Sequence, residues 1–86
     1  MQKEELKIIL ESLGFKADRF GHMQKERDDE VKLRVKFQSI SVRYEFKPVG
    51  SSTWYLRSSD YLKNVEILPD GRLKIGKLAL VANPKN

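Results

Sequence analysis

The chain contains no cysteine, and its one histidine is His22. Without cysteine there can be neither a disulfide framework nor a thiolate metal site. A single histidine also argues against zinc, which takes several nitrogen or sulfur ligands. The lack of cysteine fits a cytoplasmic protein, and we expect no bound cofactor and no metal.

Long apolar runs and glycine-rich loops are also missing. No stretch approaches the roughly 18–20 apolar residues that a membrane span needs, so we expect no membrane partner. The five glycines are scattered along the chain, and none of them builds a phosphate-binding loop. No local motif marks a nucleophilic serine that could act with the histidine. We therefore expect that the protein is not an enzyme.

Positively charged residues outnumber negatively charged ones in the sequence. The 86 residues include 17 Lys and Arg against 12 Asp and Glu, which gives a net charge of +5. The excess is uneven, because residues 1–30 hold 6 basic and 8 acidic side chains whereas residues 31–86 hold 11 and 4. A chain of this length is one small domain, spanning 1–86. Its basic part is the part that we expect to form the sheet.

The first segment predicts a helix over about residues 2–13. Its apolar residues recur at helical spacing on one stripe, and Gly14 stands where a left-handed cap would end the helix. Residues 16–30 are expected to form a charged loop, although a short edge strand within 15–20 is an alternative. The apolar stripe consists of Leu6, Ile9, Leu10 and Leu13.

Two runs of alternating apolar and polar residues predict that a sheet occupies about residues 31–82. The first run ends at Phe37, the second begins at Ile40, and the alternation changes phase across Gln38 and Ser39. This change indicates either a tight hairpin or a bulged strand. Further along, Pro69-Asp70-Gly71 predicts a hairpin turn, and Gly76 predicts a bulge.

The predicted elements sum to an α+β fold. An N-terminal helix packs on a bent antiparallel sheet of about five strands, and bending at the phase changes would let the sheet close partly into a barrel. The apolar face of the sheet lies under the helix, which leaves the basic face for solvent or for a partner.

Residues 4–22 carry one local resemblance. The helix, the Gly14-Phe15 pair and the following Arg19-Phe20-Gly21-His22 resemble the start of HicA-type mRNA interferase toxins. The resemblance implies a double-stranded-RNA-binding-like fold with a closing helix, and it makes His22 the residue that acts in RNA cleavage. The chain departs from the family's pattern because no serine stands between Gly21 and His22.

The basic face of the predicted sheet is the main candidate site. Lys32, Arg34 and Lys36 alternate along one strand, and a hairpin at residues 38–39 would set Arg34 opposite Arg43. An aromatic residue among cations can stack a base while the cations hold phosphates. We expect Tyr55 to be this aromatic residue and Trp54 to belong to the core. The predicted nucleic-acid-binding residues are Lys32, Arg34, Lys36, Arg43, Tyr55 and Arg57.

The basic face supports two function classes. In the first, the protein is a small nucleic-acid-associated accessory protein that binds the phosphate backbone. In the second, it is a non-catalytic adaptor or inhibitor that docks on an acidic protein partner. A second copy of the chain could also pair through residues 78–81, which are apolar on both faces.

Overall fold

The structure is a computed structural model that describes residues 1–80. It is an α+β fold with one N-terminal helix, a five-stranded antiparallel sheet and a smaller three-stranded sheet. The elements in chain order are α1 (Lys3–Ser12), β1 (Lys16–Ala17), β2 (Met23–Glu26), β3 (Lys32–Phe37), β4 (Ser41–Lys47), β5 (Tyr55–Tyr61), a 3₁₀ turn (Leu62–Asn64), β6 (Glu66–Ile67), β7 (Leu73–Ile75) and β8 (Leu78–Leu80).

Helix α1 ends where the sequence predicts. Gly14 has φ +95°, its N–H donates to the carbonyl of Glu11, and the N–H of Phe15 donates to the carbonyl of Leu10. This pair of bonds is a Schellman motif, which satisfies the last carbonyls of the helix. Phe15 and Leu10 are both buried in the core, so the cap also turns the chain back under the sheet.

The strands of the large sheet are neighbours in space in the order in which they occur in the chain. β1 and β5 form its two edges, and among the described residues no closed barrel is found. The N-terminal helix and the antiparallel sheet are therefore confirmed, and the sheet has five strands, but two of them come from residues 16–30 and residues 66–80 do not belong to it. The separate three-stranded sheet of β6, β7 and β8 was not expected.

Residues 16–30 are not the loop that the charge pattern predicted, because they include β1 and β2. Asp18 organises the turn between them, with its carboxylate accepting the N–H groups of Phe20 and His22 and the amide of Gln24. Met23 lies opposite Val35 of β3 and is buried. Met23 thus anchors β2 in the core, and the carboxylate-centred turn joins β1 to it at the edge of the sheet.

A single core joins the helix and the two sheets. Helix α1 and the small sheet both lie on the same face of the large sheet. Over the described part of the chain no helix or strand covers the opposite face, which we call the outer face. The core consists of Leu6, Leu10, Leu13, Phe15, Met23, Leu33, Val35, Val42, Tyr44, Val65, Leu73 and Ile75.

The small sheet is built from two hairpins. The predicted turn at Pro69-Asp70-Gly71 is present, since the N–H of Gly71 donates to the carbonyl of Leu68. Gly76 lies in the tight turn that joins β7 to β8, where Ile75 pairs with Leu78, so the prediction of a bulge at Gly76 was wrong. Residues 78–80 form edge strand β8 and are half-buried, whereas position 81 of the predicted pairing segment lies outside the described residues.

The closing helix that the toxin resemblance implies is not found after the large sheet within the described residues. Residues 62–80 form the 3₁₀ turn and the small sheet instead. The one α-helix of residues 1–80 spans ten residues, and no helix in that range could cross a membrane.

Candidate nucleic-acid interface

The β3–β4 hairpin places most of the predicted site residues on the outer face. Leu33, Val35 and Phe37 turn toward the core, so the alternating positions of β3 face outward. The residues of β4 that pair with these outward positions are also polar. The three outward pairs are Lys32 with Lys47, Arg34 with Glu45, and Lys36 with Arg43.

The pairing differs from the expected one by two residues. The turn is formed by Ser39 and Ile40, because Gln38 and Ser41 still pair through the N–H of Gln38 and the carbonyl of Ser41. Ile40 is therefore at the tip, where it is 65% exposed. Arg34 consequently lies opposite Glu45 rather than opposite Arg43, and the faces themselves are unchanged because the shift is by an even number of residues.

Glu45 ties two of the predicted arginines into a network. Its carboxylate accepts hydrogen bonds from Arg34 Nε at 2.8 Å and from Arg43 Nε at 3.1 Å, and Arg34 Nη2 lies 2.7 Å from it. Glu45 is only 4% exposed. A buried carboxylate with these partners fixes both guanidinium groups, so Arg34 serves mainly to organise the face.

The lysines of this face are not held by a carboxylate in this way among the described residues, although Lys32 lies opposite Glu26 of β2. Lys32, Lys36 and Lys47 form no salt bridge with any carboxylate in residues 1–80. Two of the three outward pairs of the hairpin also join like charges, Lys32 with Lys47 and Lys36 with Arg43. Like charges directly across a ladder are destabilising unless solvent or an anion screens them.

Tyr55 and Arg57 do not belong to the outer face, so their assignment to this site was wrong. The register of β4 with β5 shifts between Tyr44 and Glu45, so Arg57 is an extra, unpaired residue. This bulge reverses the alternation of the strand. Tyr55 then lies against Phe46, with ring centres 5.6 Å apart, and the guanidinium of Arg57 lies 5.5 Å from the centre of the Phe46 ring.

The same bulge brings Trp54 to the outer face instead of the core. The guanidinium of Arg34 lies 4.2 Å from the centre of a Trp54 ring, and the ammonium of Lys47 lies 5.2 Å from one. Trp54 is half-buried under these contacts. Its sequence signal was ambiguous, because two adjacent aromatic residues must face opposite sides of a strand and only the bulge decides which side each one takes.

His22 also borders the outer face, beside Lys36. Its Nδ1 accepts the N–H of Phe37 at 3.0 Å, so the neutral ring carries its proton on Nε2. Burial lowers the pKa of His22, Arg34 and Lys36 lower it further, and Asp18 opposes them. The neutral ring thus accepts a backbone N–H of β3 and adds one hydrogen bond beyond the last backbone pair of β2 and β3.

The carboxylate of Asp18 stays ionised beside this ring. Burial raises its pKa, but the hydrogen bonds from Gln24, His22 and Phe20 outweigh that effect and leave the pKa below its usual value. Across residues 1–80, no group of three or more His, Asp or Glu side chains is placed to hold a metal ion.

Comparisons with models of known protein families, with curated proteins and with solved structures find no match to this chain.

Proposed function

We propose that the protein is a small nucleic-acid-associated accessory protein and that its outer face binds the phosphate backbone. The observation that carries the proposal is an uncovered sheet face whose cations stand on two adjacent strands. The cations that face solvent there are Lys32, Lys36 and Lys47, together with Arg43, whose side chain is 36% exposed despite its contact with Glu45, whereas that of Arg34 is 17% exposed.

The arrangement favours a repeating anion over a single one. Outward residues of one strand are about 6.8 Å apart, and neighbouring strands are about 4.8 Å apart, so the cations form a grid rather than one pocket. A nucleic-acid backbone presents negative charge at regular intervals along its length and can contact several points of such a grid. An acidic patch on a partner protein has no such required periodicity, which is why we favour nucleic acid.

Binding of this kind is measured by its dependence on salt. Fluorescence anisotropy of labelled oligonucleotides should show binding at about 50 mM salt, with the logarithm of the affinity falling linearly as the logarithm of salt concentration rises. The double variant Lys32→Glu/Lys36→Glu should weaken binding by about tenfold or more and make the salt dependence shallower, because fewer counterions are released.

The matched control is Lys63→Glu/Lys77→Glu. These two lysines are exposed and lie in the 3₁₀ turn and in the β7–β8 turn, away from the outer face, and their replacement changes the net charge equally. Equal weakening by the two double variants would show that binding depends on net charge alone. Absence of binding at low salt would contradict the proposal and leave docking on an acidic protein as the alternative use of this face.

A further inference from the structure

Trp54 borders the cationic grid at the row of Lys32 and Lys47, because the next residue, Tyr55, pairs with Phe46. It stands beside Arg34, which belongs to the central outward pair of the hairpin, and Arg34 is held in place by Glu45. On one side of this central pair lies the pair Lys32 and Lys47, and on the other side lies Lys36 with Arg43. Each step along the hairpin is about 6.8 Å, so the indole has Lys32 and Lys47 in its own row and Lys36 and Arg43 two rows further along.

We propose that this face binds single-stranded nucleic acid by stacking an unpaired base on Trp54. The inference rests on the proposed function and names its substrate class. The strand runs along β3 and β4, so its phosphates meet Lys32 and Lys47 beside the stacked base and Lys36 and Arg43 further along the hairpin. Lys47 exchanges its contact with the indole for a phosphate as the base arrives.

Stacking selects single strands because a paired base has no free face. In a duplex each base lies between its neighbours, and an aromatic side chain on a sheet can reach only the sugar-phosphate exterior. The described chain also presents no helix on the outer face that could enter a major groove. A duplex would therefore meet only the cations, whereas a single strand would meet the cations and the indole.

Arg34 is a positioning residue in this arrangement. Its guanidinium is bound to the carboxylate of Glu45 and lies against the indole, which reduces the freedom of the Trp54 side chain before any ligand binds. A ring that is already oriented loses less entropy when a base stacks on it. The exposed tyrosines have no comparable cation contact among the described residues, and Tyr55 is 48% exposed on the opposite face.

Trp54 is the only tryptophan in the chain, so its fluorescence reports directly on the proposed contact. Addition of an unlabelled single-stranded oligonucleotide of about eight nucleotides should quench it, and an equally long duplex should quench it much less. Trp54→Ala should weaken binding of the single strand by about 10-fold to 100-fold. Trp54→Phe should retain most of the affinity, and Tyr55→Ala, which alters the opposite face, should leave it unchanged.

The outcomes separate the two proposals. If Trp54→Ala, shown by circular dichroism to be folded, binds the single strand as tightly as the original protein, stacking is wrong while backbone binding stands. If duplex binds at least as tightly as single strand and loses as much affinity on Trp54→Ala, the single-strand preference is wrong. If neither oligonucleotide binds at low salt, the proposed function itself fails.

Discussion

His22 is the one side chain of the protein whose ordinary pKa, 6.5, lies between pH 5 and 8. The fold lowers that pKa, because burial and the neighbouring cations disfavour the charged ring, whose Nδ1 must accept the N–H of Phe37. Below pH 6.5 the unfolded chain therefore binds more protons than the folded chain. The stability contributed by the neutral ring is present above pH 6.5 and is lost as the pH falls toward the folded pKa.

We expect the free energy of unfolding to decrease when the pH is lowered from about 7.5 to about 5.5. His22→Gln, which retains an acceptor oxygen without a titrating ring, should remove this decrease. Urea denaturation at both pH values measures it. The pKa of Asp29, held at about 2 by its hydrogen bond from Arg27, lies below this range. An equal decrease in His22→Gln would show that the ring does not couple to folding.

At the scale of elements, the turn at Gly76 is where the small sheet contacts strand β5 of the large sheet. Its N–H donates to Asp60 at 3.3 Å, and the hydroxyl of Ser58 donates to the carbonyl of Ile75 at 2.7 Å. Gly76 has φ +61°, and a Cβ there would overlap the hydroxyl of Ser58 and the carbonyl of Ser59. Only a glycine lets the β7–β8 turn approach strand β5 this closely.

Gly76→Ala should therefore destabilise the protein by about 2–4 kcal/mol, through the backbone conformation and the overlap together. Gly50→Ala is the matched control, because Gly50 also has a positive φ, +80°, but has open space around it. This control should cost only about 1–2 kcal/mol. Thermal or urea denaturation compares the two, and equal losses would mean that the close approach of the turn to β5 does not matter.

Elements with a local signal were predictable from the sequence. The helix and its stop at Gly14, the alternating strands around the β3–β4 hairpin, and the turn at residues 69–71 each depend on neighbouring residues. The β1–β2 pair lacked such a signal, since Met23 is the only buried residue of those two strands. For the candidate site, the shared face of Lys32, Arg34, Lys36 and Arg43 was predictable, because alternation within each strand is enough to place them.

The remaining site residues depended on pairing between strands, which alternation does not encode. Tyr55 and Arg57 would face outward if β5 paired regularly with β4, and the bulge turns them to the other side. The partner of Arg34 depended on which two residues form the hairpin turn. The face that each residue of a strand takes can be read from the alternation of the sequence. Which residues pair between two strands is set by the packed structure.

For the whole molecule, the shared core implies that the two sheets and the helix unfold together. Leu10 of α1, Val35 of the large sheet and Leu73 of the small sheet are each fully buried in that core. A domain of this size generally unfolds in one cooperative step. No layer of the described structure has a core of its own that would survive loss of the others.

Leu73→Ala should lower the free energy of unfolding by about 2–5 kcal/mol. The loss should appear equally in far-ultraviolet circular dichroism and in the fluorescence of Trp54, although Trp54 lies on the far side of the large sheet. Ile67→Ala, on the same small sheet but 44% exposed, is the control and should cost less than about 1 kcal/mol. Separate transitions for the two probes would contradict a single cooperative unit.

The bulge at Arg57 means that the outer face depends on a choice of register as well as on its side chains. A shorter chain without Arg57 could pair regularly and still keep Leu56 opposite Glu45, with Trp54 outward. In the chain with Arg57, a slip of one residue that paired Arg57 with Glu45 would turn Trp54 inward and Tyr55 outward. The position of this one unpaired residue therefore decides which aromatic ring the outer face presents.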